Sequence, residues 1–415
     1  MLHHRDRAAV PATPSGPRTR GVRSLAVLAV AAAALVAACT APPPPPPPVH
    51  TGGVDPNTAP RANDPAYVEH GPNDVGVLTV EIEPGRKAEV WYPAPAGSAA
   101  GHEPDTYHIR DFLAPALANL LPPSVDPPFT TDAVRGLPAL DGRFPLVLFS
   151  HGFASFRLQS TFLTTHLASW GFVVISPDYF ERGLQSFGGT PPAPSHPDSE
   201  VAQLAVDAAI ALDTGTGPLS GRIDTSRLFP IGHSAGGGTS TQLAGSRTDV
   251  SSWIAMSSGI SLTPSLFNPT PKVPAALADP DKSVMWITGA DDHVARLDGV
   301  LDAYRYSAGE KKLVVVPRSG HNNAMSDICE IGSDQGGVIG LAKGAGLPLP
   351  DFIVTLAQDG CLPPNAKSPE VWPIVRHFIT AELRYRSGLD PQPVGLGTGV
   401  AATFGALAPT YEEAG

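Results

Sequence analysis

The sequence predicts an α/β fold: a mostly parallel central sheet with helices on both faces and an inserted helical segment. Two observations carry that expectation. Short apolar runs recur at 146–149, 172–175, 228–231, 253–256, 284–287 and 313–316. Between them lie segments of helical length at 159–170, 200–213, 235–243 and 296–306, and a closing one at 371–383. A strand covered on both faces reads as a continuous apolar run, and joining parallel neighbours takes a crossover, usually a helix.

Taken in order, residues 75–82 and 88–92 alternate well enough for an opening antiparallel hairpin turned at Glu83-Pro84-Gly85-Arg86. The composition then changes over 102–140. There Phe112, Leu113, Ala116, Leu117, Leu120 and Leu121 recur at helical spacing before proline-rich text. This predicts an inserted helix packed on the body by a broad apolar stripe, in preference to a mobile lid. A long stretch at about 326–363 separates the last apolar run from the closing helix. The body is expected to span 71–385. Residues 386–415, rich in Gly, Ala and Pro, read as a flexible tail.

Before the body, Arg18, Arg20 and Arg23 precede an apolar run at 25–38. That run is shorter than the roughly 20 residues a spanning helix needs, but it suits the core of a secretory signal. Val36-Ala37-Ala38-Cys39 resembles the bacterial lipoprotein box, so residues 1–38 read as a lipoprotein signal peptide and Cys39 as the lipidated residue. Seven prolines at 42–48 open a stiff linker over 39–70. The expected location is exported, lipid-anchored on the extracytoplasmic face. Removing the five arginines and one aspartate of residues 1–38 from 28 basic and 39 acidic residues leaves 23 and 38, a net −15. That balance argues against a nucleic-acid partner. With Cys39 assigned to the anchor, Cys329 and Cys361 remain as an even pair in an oxidising compartment. A bridge between them would contribute roughly 3–4 kcal/mol in the chain-entropy account. Their spacing lacks the paired form that zinc wants.

The most informative stretch is Ile231-Gly232-His233-Ser234-Ala235-Gly236-Gly237. It reads as a serine on a sharp strand-to-helix turn, with glycines two before and two after that let the turn close. The motif alone is weak. A serine hydroxyl also needs a base, an acid to orient that base, and donors for the developing oxyanion. Residues 284–287 lead into Gly289-Ala290-Asp291-Asp292-His293, and 313–316 into Pro317-Arg318-Ser319-Gly320-His321. Ser234, Asp292 and His321 each follow a strand, in the chain order of the α/β-hydrolase arrangement. Ser150-His151-Gly152-Phe153 follows 146–149, so the Phe153 and Ala235 amides are the candidate oxyanion donors.

The stretch from Leu146 to Arg157, Leu167-Ala168-Ser169-Trp170-Gly171-Phe172-Val173-Val174 and Gly232-His233-Ser234-Ala235-Gly236-Gly237 resemble the platelet-activating-factor acetylhydrolases. Cutinase-like polyester hydrolases and dienelactone-hydrolase-like proteins share that pattern. The resemblance covers roughly 141–321. It implies a serine carboxylic-ester hydrolase without metal or cofactor, with Ser234 as nucleophile, Asp292 as acid, His321 as base, and Phe153 and Ala235 as oxyanion donors. The substrate class it implies is a small-molecule, lipid or polymer ester. Pro230 departs from the pattern, since it removes a donor at the end of the central strand.

Several residues compete for these roles. Asp291 is the alternative to Asp292, and spacing from Gly289 favours Asp292. His151 and His233 read as structural members of loop and elbow. Tyr179 and Glu181 follow a strand exit and read as packing residues. Two other functions remain open from the sequence: acyl transfer to an alcohol through the same triad, and a catalytically silent envelope-binding lipoprotein.

Overall fold

The computed structural model describes residues 65–186, 194–262 and 272–415. The leader, Cys39 and the proline tract lie outside the described residues. The described residues 65–186, 194–261 and 272–415 belong to one unit, which holds every feature discussed below.

The chain opens with the expected hairpin, β1 (Asp74–Glu83) against β2 (Arg86–Ala94). A short two-stranded sheet follows, β3 (Thr106–Tyr107) with β4 (Phe129–Thr130). The main sheet continues through β5 (Val134–Arg135), β6 (Phe144–Ser150), β7 (Val173–Pro177), β8 (Ile223–His233), β9 (Ser252–Met256), β10 (Ser283–Gly289), β11 (Lys311–Val316) and β12 (Thr410–Ala414). Its spatial order is β12-β11-β10-β9-β8-β6-β7-β2-β1-β5. The segment from β11 to β7 is parallel throughout, while β2 and β12 join it antiparallel. This is the α/β-hydrolase fold.

Side-chain alternation explains why helices cover both faces. Val147, Phe149, Ile231, Met256, Met285, Ile287, Val314 and Val316 point to one side. There they pack with residues of helices Thr161–Ser169 and Ser368–Arg386. Trp253 and Trp286 point to the other. Trp253 Nε1 donates to Thr241 Oγ1 in helix Ala235–Ser246, and Trp286 Nε1 donates to Ser307 Oγ beyond helix Leu297–Tyr306. Pro230 sits opposite Leu148 within β8, which continues as a strand through His233.

Three sequence expectations are corrected. The inserted helix over 102–140 is broken into a 3-10 turn (Ile109–Phe112), one α turn (Pro115–Ala118) and a second 3-10 turn (Pro123–Val125). Proline at 115, 122 and 123 removes amides and restricts each preceding residue, so the apolar stripe never propagates. Leu120 is left 69% exposed. The insert is nonetheless fastened to the body: Phe112 stacks on Phe156 at 4.5 Å, and Arg135 joins Asp105 to Glu89.

Residues 386–415 are not a flexible tail. Leu396, Val400 and Tyr411 are buried, and β12 closes the sheet edge along β11. Nor does the packed body begin at 71. Tyr67 is buried against Trp170 and donates its hydroxyl to Asp390.

Candidate active site

The elbow is built from β8 and the start of helix Ala235–Ser246. Ser234 holds φ 56° and ψ −121°, a region that costs a Cβ-bearing residue about 1–3 kcal/mol. The surroundings enforce it. A Cβ on Gly232 would fall on the Gly236 carbonyl, and one on Gly236 would fall on the Ser150 carbonyl. Ser234 N donates to Met256 O at 2.8 Å across the sheet. Ser234 and Ala235 stay half-buried between neighbours that are closed off. Ala235 is the first helical residue, so its N–H has no partner within the helix.

At the next-but-one strand exit, Asp292 and His321 meet. His321 Nδ1 lies 3.1 Å and 3.0 Å from the two Asp292 carboxylate oxygens. Asp292 Oδ1 also accepts the Val294 and Ala295 amides at 2.9 and 2.7 Å, which fixes the carboxylate. A carboxylate only accepts, so His321 Nδ1 carries the hydrogen. In the neutral ring Nε2 then holds the lone pair, and that atom is buried without a hydrogen-bond partner among the described residues. Asp291 is exposed while Asp292 is buried, which separates the two candidates.

His321 approaches the elbow through its neighbour. The His233 and His321 rings are 4.7 Å apart, and His233 Nε2 bonds the His321 carbonyl at 2.9 Å. On the opposite flank the loop after β6 brings Gly152 close enough that a Cβ there would lie 3.3 Å from Ser234 Cβ. Phe153 follows and is 42% exposed. The structure therefore gathers Ser234, Ala235, Phe153, Asp292 and His321 at the carboxyl ends of β8, β6, β10 and β11, where open α/β sheets hold their ligands. Tyr179 and Glu181 do serve packing. Tyr179 is buried on Ser150, and Glu181 pairs with Arg86.

The residue that the sequence did not suggest is Asp359. Its Oδ1 accepts the His321 amide at 3.3 Å and its Oδ2 accepts the His293 amide at 2.9 Å. One side chain from the 326–363 stretch thus ties the His321 loop to the Asp292 loop. The sole signal was its place two residues before Cys361, which is bridged to Cys329. Among the described residues no cluster of His, Cys, Asp or Glu could hold a metal ion, and no helix is long and apolar enough to cross a membrane.

Residues 138–264 match the family model described as PETase, PET hydrolase-like. A bis(hydroxyethyl) terephthalate hydrolase from Streptomyces coelicolor is 36% identical over 116 residues, covering 28% of this chain and 33% of that protein. Cutinase 2 of Thermobifida cellulosilytica is 30% identical over 119 residues, covering 29% of this chain and 41% of that protein. Cutinase cut1 of Thermobifida fusca is likewise 30% identical over 119 residues, with 34% of it covered. The matched stretch therefore spans between a third and two-fifths of these relatives' own lengths. The family match contains the loop after β6 and the elbow, whereas Asp292 and His321 lie beyond it and rest on geometry.

Proposed function

We propose that this protein is a serine carboxylic-ester hydrolase acting on polyester-like or short acyl esters. The observation that carries the reading is the Asp292–His321 pair, which leaves an unpartnered Nε2 at the same sheet end as the half-buried, positive-φ Ser234. Ser234 Oγ attacks the ester carbonyl as His321 Nε2 takes its proton, and Asp292 holds the ring and favours the imidazolium that forms. The Phe153 and Ala235 amides receive the tetrahedral oxyanion. In such sites one donor is worth about 3–4 kcal/mol of barrier. The imidazolium then protonates the departing alcohol. Water, deprotonated by the same nitrogen, releases the acid from the acyl-enzyme and restores Ser234. The names of the relatives, a terephthalate-ester hydrolase and cutinases, support an ester or polyester substrate. Export and anchoring through acylated Cys39 belong to the same proposal and rest on the leader pattern.

The test is turnover of nitrophenyl esters of increasing acyl length and of bis(hydroxyethyl) terephthalate, by the wild type and by Ser234→Ala. Turnover that vanishes in the variant supports the reading; equal turnover in both overturns it. An added alcohol acceptor that diverts most of the acyl group to a new ester would reassign the reaction as transfer. Metabolic labelling with a radioactive fatty acid tests the anchor. Label that persists after Cys39→Ala would refute it.

A further inference from the structure

We propose that Gln159 is a positioning residue that sets the oxyanion loop and the base loop together, through the side chain of His233. This rests on the serine-hydrolase reading above. Gln159 lies just ahead of helix Thr161–Ser169, outside the elbow and outside every strand exit, and is 1% exposed.

Its amide group spans two functional loops. Gly152 N donates to Gln159 Oε1 at 2.7 Å, and Gln159 Nε2 lies 2.5 Å from His233 Nδ1. The orientation of the amide follows from the first bond, because a flipped amide would set its NH2 against the Gly152 N–H. Gln159 Nε2 is then the donor, so His233 Nδ1 accepts. That leaves the His233 hydrogen on Nε2, where it donates to the His321 carbonyl at 2.9 Å. The path runs from the loop before Phe153, through Gln159 and His233, to the backbone of the base. Every bond in it has a single permitted direction.

The peptide that presents Phe153 is fixed from its other side. Tyr179 N donates to His151 Nε2 at 3.1 Å, so His151 Nδ1–H donates to the Gly152 carbonyl at 2.8 Å. In a trans peptide the carbonyl and the following N–H point in opposite directions. Holding the Gly152 carbonyl on His151 therefore turns the Phe153 N–H to the opposite side. Arg182 donates to the His151 carbonyl, completing the frame. Burial pushes both His151 and His233 well below the usual histidine range. Arg182 adds to the effect on His151, and His321 to that on His233. Both rings stay neutral, as the path requires. The charged and titratable groups facing it are His321, Arg182, His151, Arg157 beside His151, and Asp292 beyond the His321 ring. Asp327 meets Gln159 through its backbone, donating its amide to the Gln159 carbonyl at 2.8 Å.

Gln159→Glu gives a signature that mere space-filling would not. One oxygen of the new carboxyl still accepts the Gly152 amide. The other can bond His233 Nδ1 while Nε2 keeps its hydrogen only so long as the pair formed by that carboxyl and His233 retains an extra proton, on whichever of the two groups carries it. When that proton leaves, the one remaining imidazole hydrogen moves to Nδ1, and a lone pair faces the His321 carbonyl. For nitrophenyl ester hydrolysis, the wild-type rate should rise to a plateau with pH. Gln159→Glu should instead rise and then fall, and Gln159→Leu should be roughly 10- to 100-fold lower in kcat at every pH with KM moved less than about threefold.

A second readout needs no turnover. Histidine 15N NMR of the wild type should show His233 protonated at Nε2 and His151 at Nδ1, unchanged between about pH 5 and 9. In Gln159→Glu the His233 signals should titrate. A Gln159→Glu profile parallel to the wild type, Gln159→Leu within twofold of it, or His233 protonated at Nδ1 would each overturn the proposal. Should Gln159→Leu fail to fold, the Gln159→Glu profile and the tautomers still decide. Failure of the parent reading looks different: a wild type without turnover whose tautomers are as stated refutes the hydrolase and, with it, the positioning role.

Discussion

Asp359 and His321 are joined side chain to backbone: one carboxylate oxygen of Asp359 accepts the His321 amide, while the other accepts the amide of His293, next to Asp292. The backbone of His321 is therefore held partly by a residue 38 positions later in the chain. Asp359→Ala should lower kcat roughly 10- to 100-fold, the scale of a misplacement near 1 Å. Asp359→Asn, which keeps one acceptor and turns an NH2 toward a backbone donor, should fall between. Steady-state kinetics check this, and an unchanged kcat in the alanine variant would remove Asp359 from the machinery.

Burial separates the adjacent aspartates. Asp292→Asn should cost about 10³- to 10⁴-fold in kcat, because an amide can hold the ring in the wrong tautomer. Asp291→Asn, at an exposed position, should stay within about twofold. Comparable losses in the two variants would contradict the geometry.

Asp327 gives a pH signature in stability. Its buried carboxyl is pushed up to about 7 by burial, against hydrogen bonds from Thr161 and the Phe162 amide that pull it down. The folded value lies above the unfolded one of about 3.9, so the folded chain favours the protonated form. The contribution is present in full below pH ~4 and is lost as pH rises through about 7. The wild type should therefore lose stability relative to Asp327→Asn between about pH 4 and 7, as read by urea unfolding at each pH. A constant difference would show that the carboxyl is not perturbed.

The closing strand should matter to stability and little to chemistry. Tyr411 is 6% exposed and stacks on Phe378 at 5.5 Å. Tyr411→Ala should cost roughly 2–4 kcal/mol in unfolding free energy and leave KM unchanged. No loss of stability would mean that β12 is not part of the cooperative fold.

What the sequence displays well is anything announced by its own neighbours. Ser234, Asp292 and His321 each stand within five residues of an apolar run, so their place at one end of the sheet follows once the runs are parallel strands. Asp359 and Gln159 have no such marker, because they act on backbone amides and on a second ring far away in the chain. The β12 segment Thr410–Ala414 hides for another reason. Its Tyr-Glu-Glu text has one buried side chain, and an edge strand needs no apolar run. The insert misleads in the opposite direction, since its leucines keep helical spacing while Pro115, Pro122 and Pro123 forbid the helix.

The proposed chemistry stands or falls with Ser234 as nucleophile, activated by His321. Treating the purified protein with a fluorophosphonate and mapping the adduct by peptide mass spectrometry tests it directly. A single adduct on Ser234 is expected, absent in Ser234→Ala and formed far more slowly in His321→Ala. An adduct on another residue, or labelling of Ser234 at an unchanged rate without His321, would contradict it.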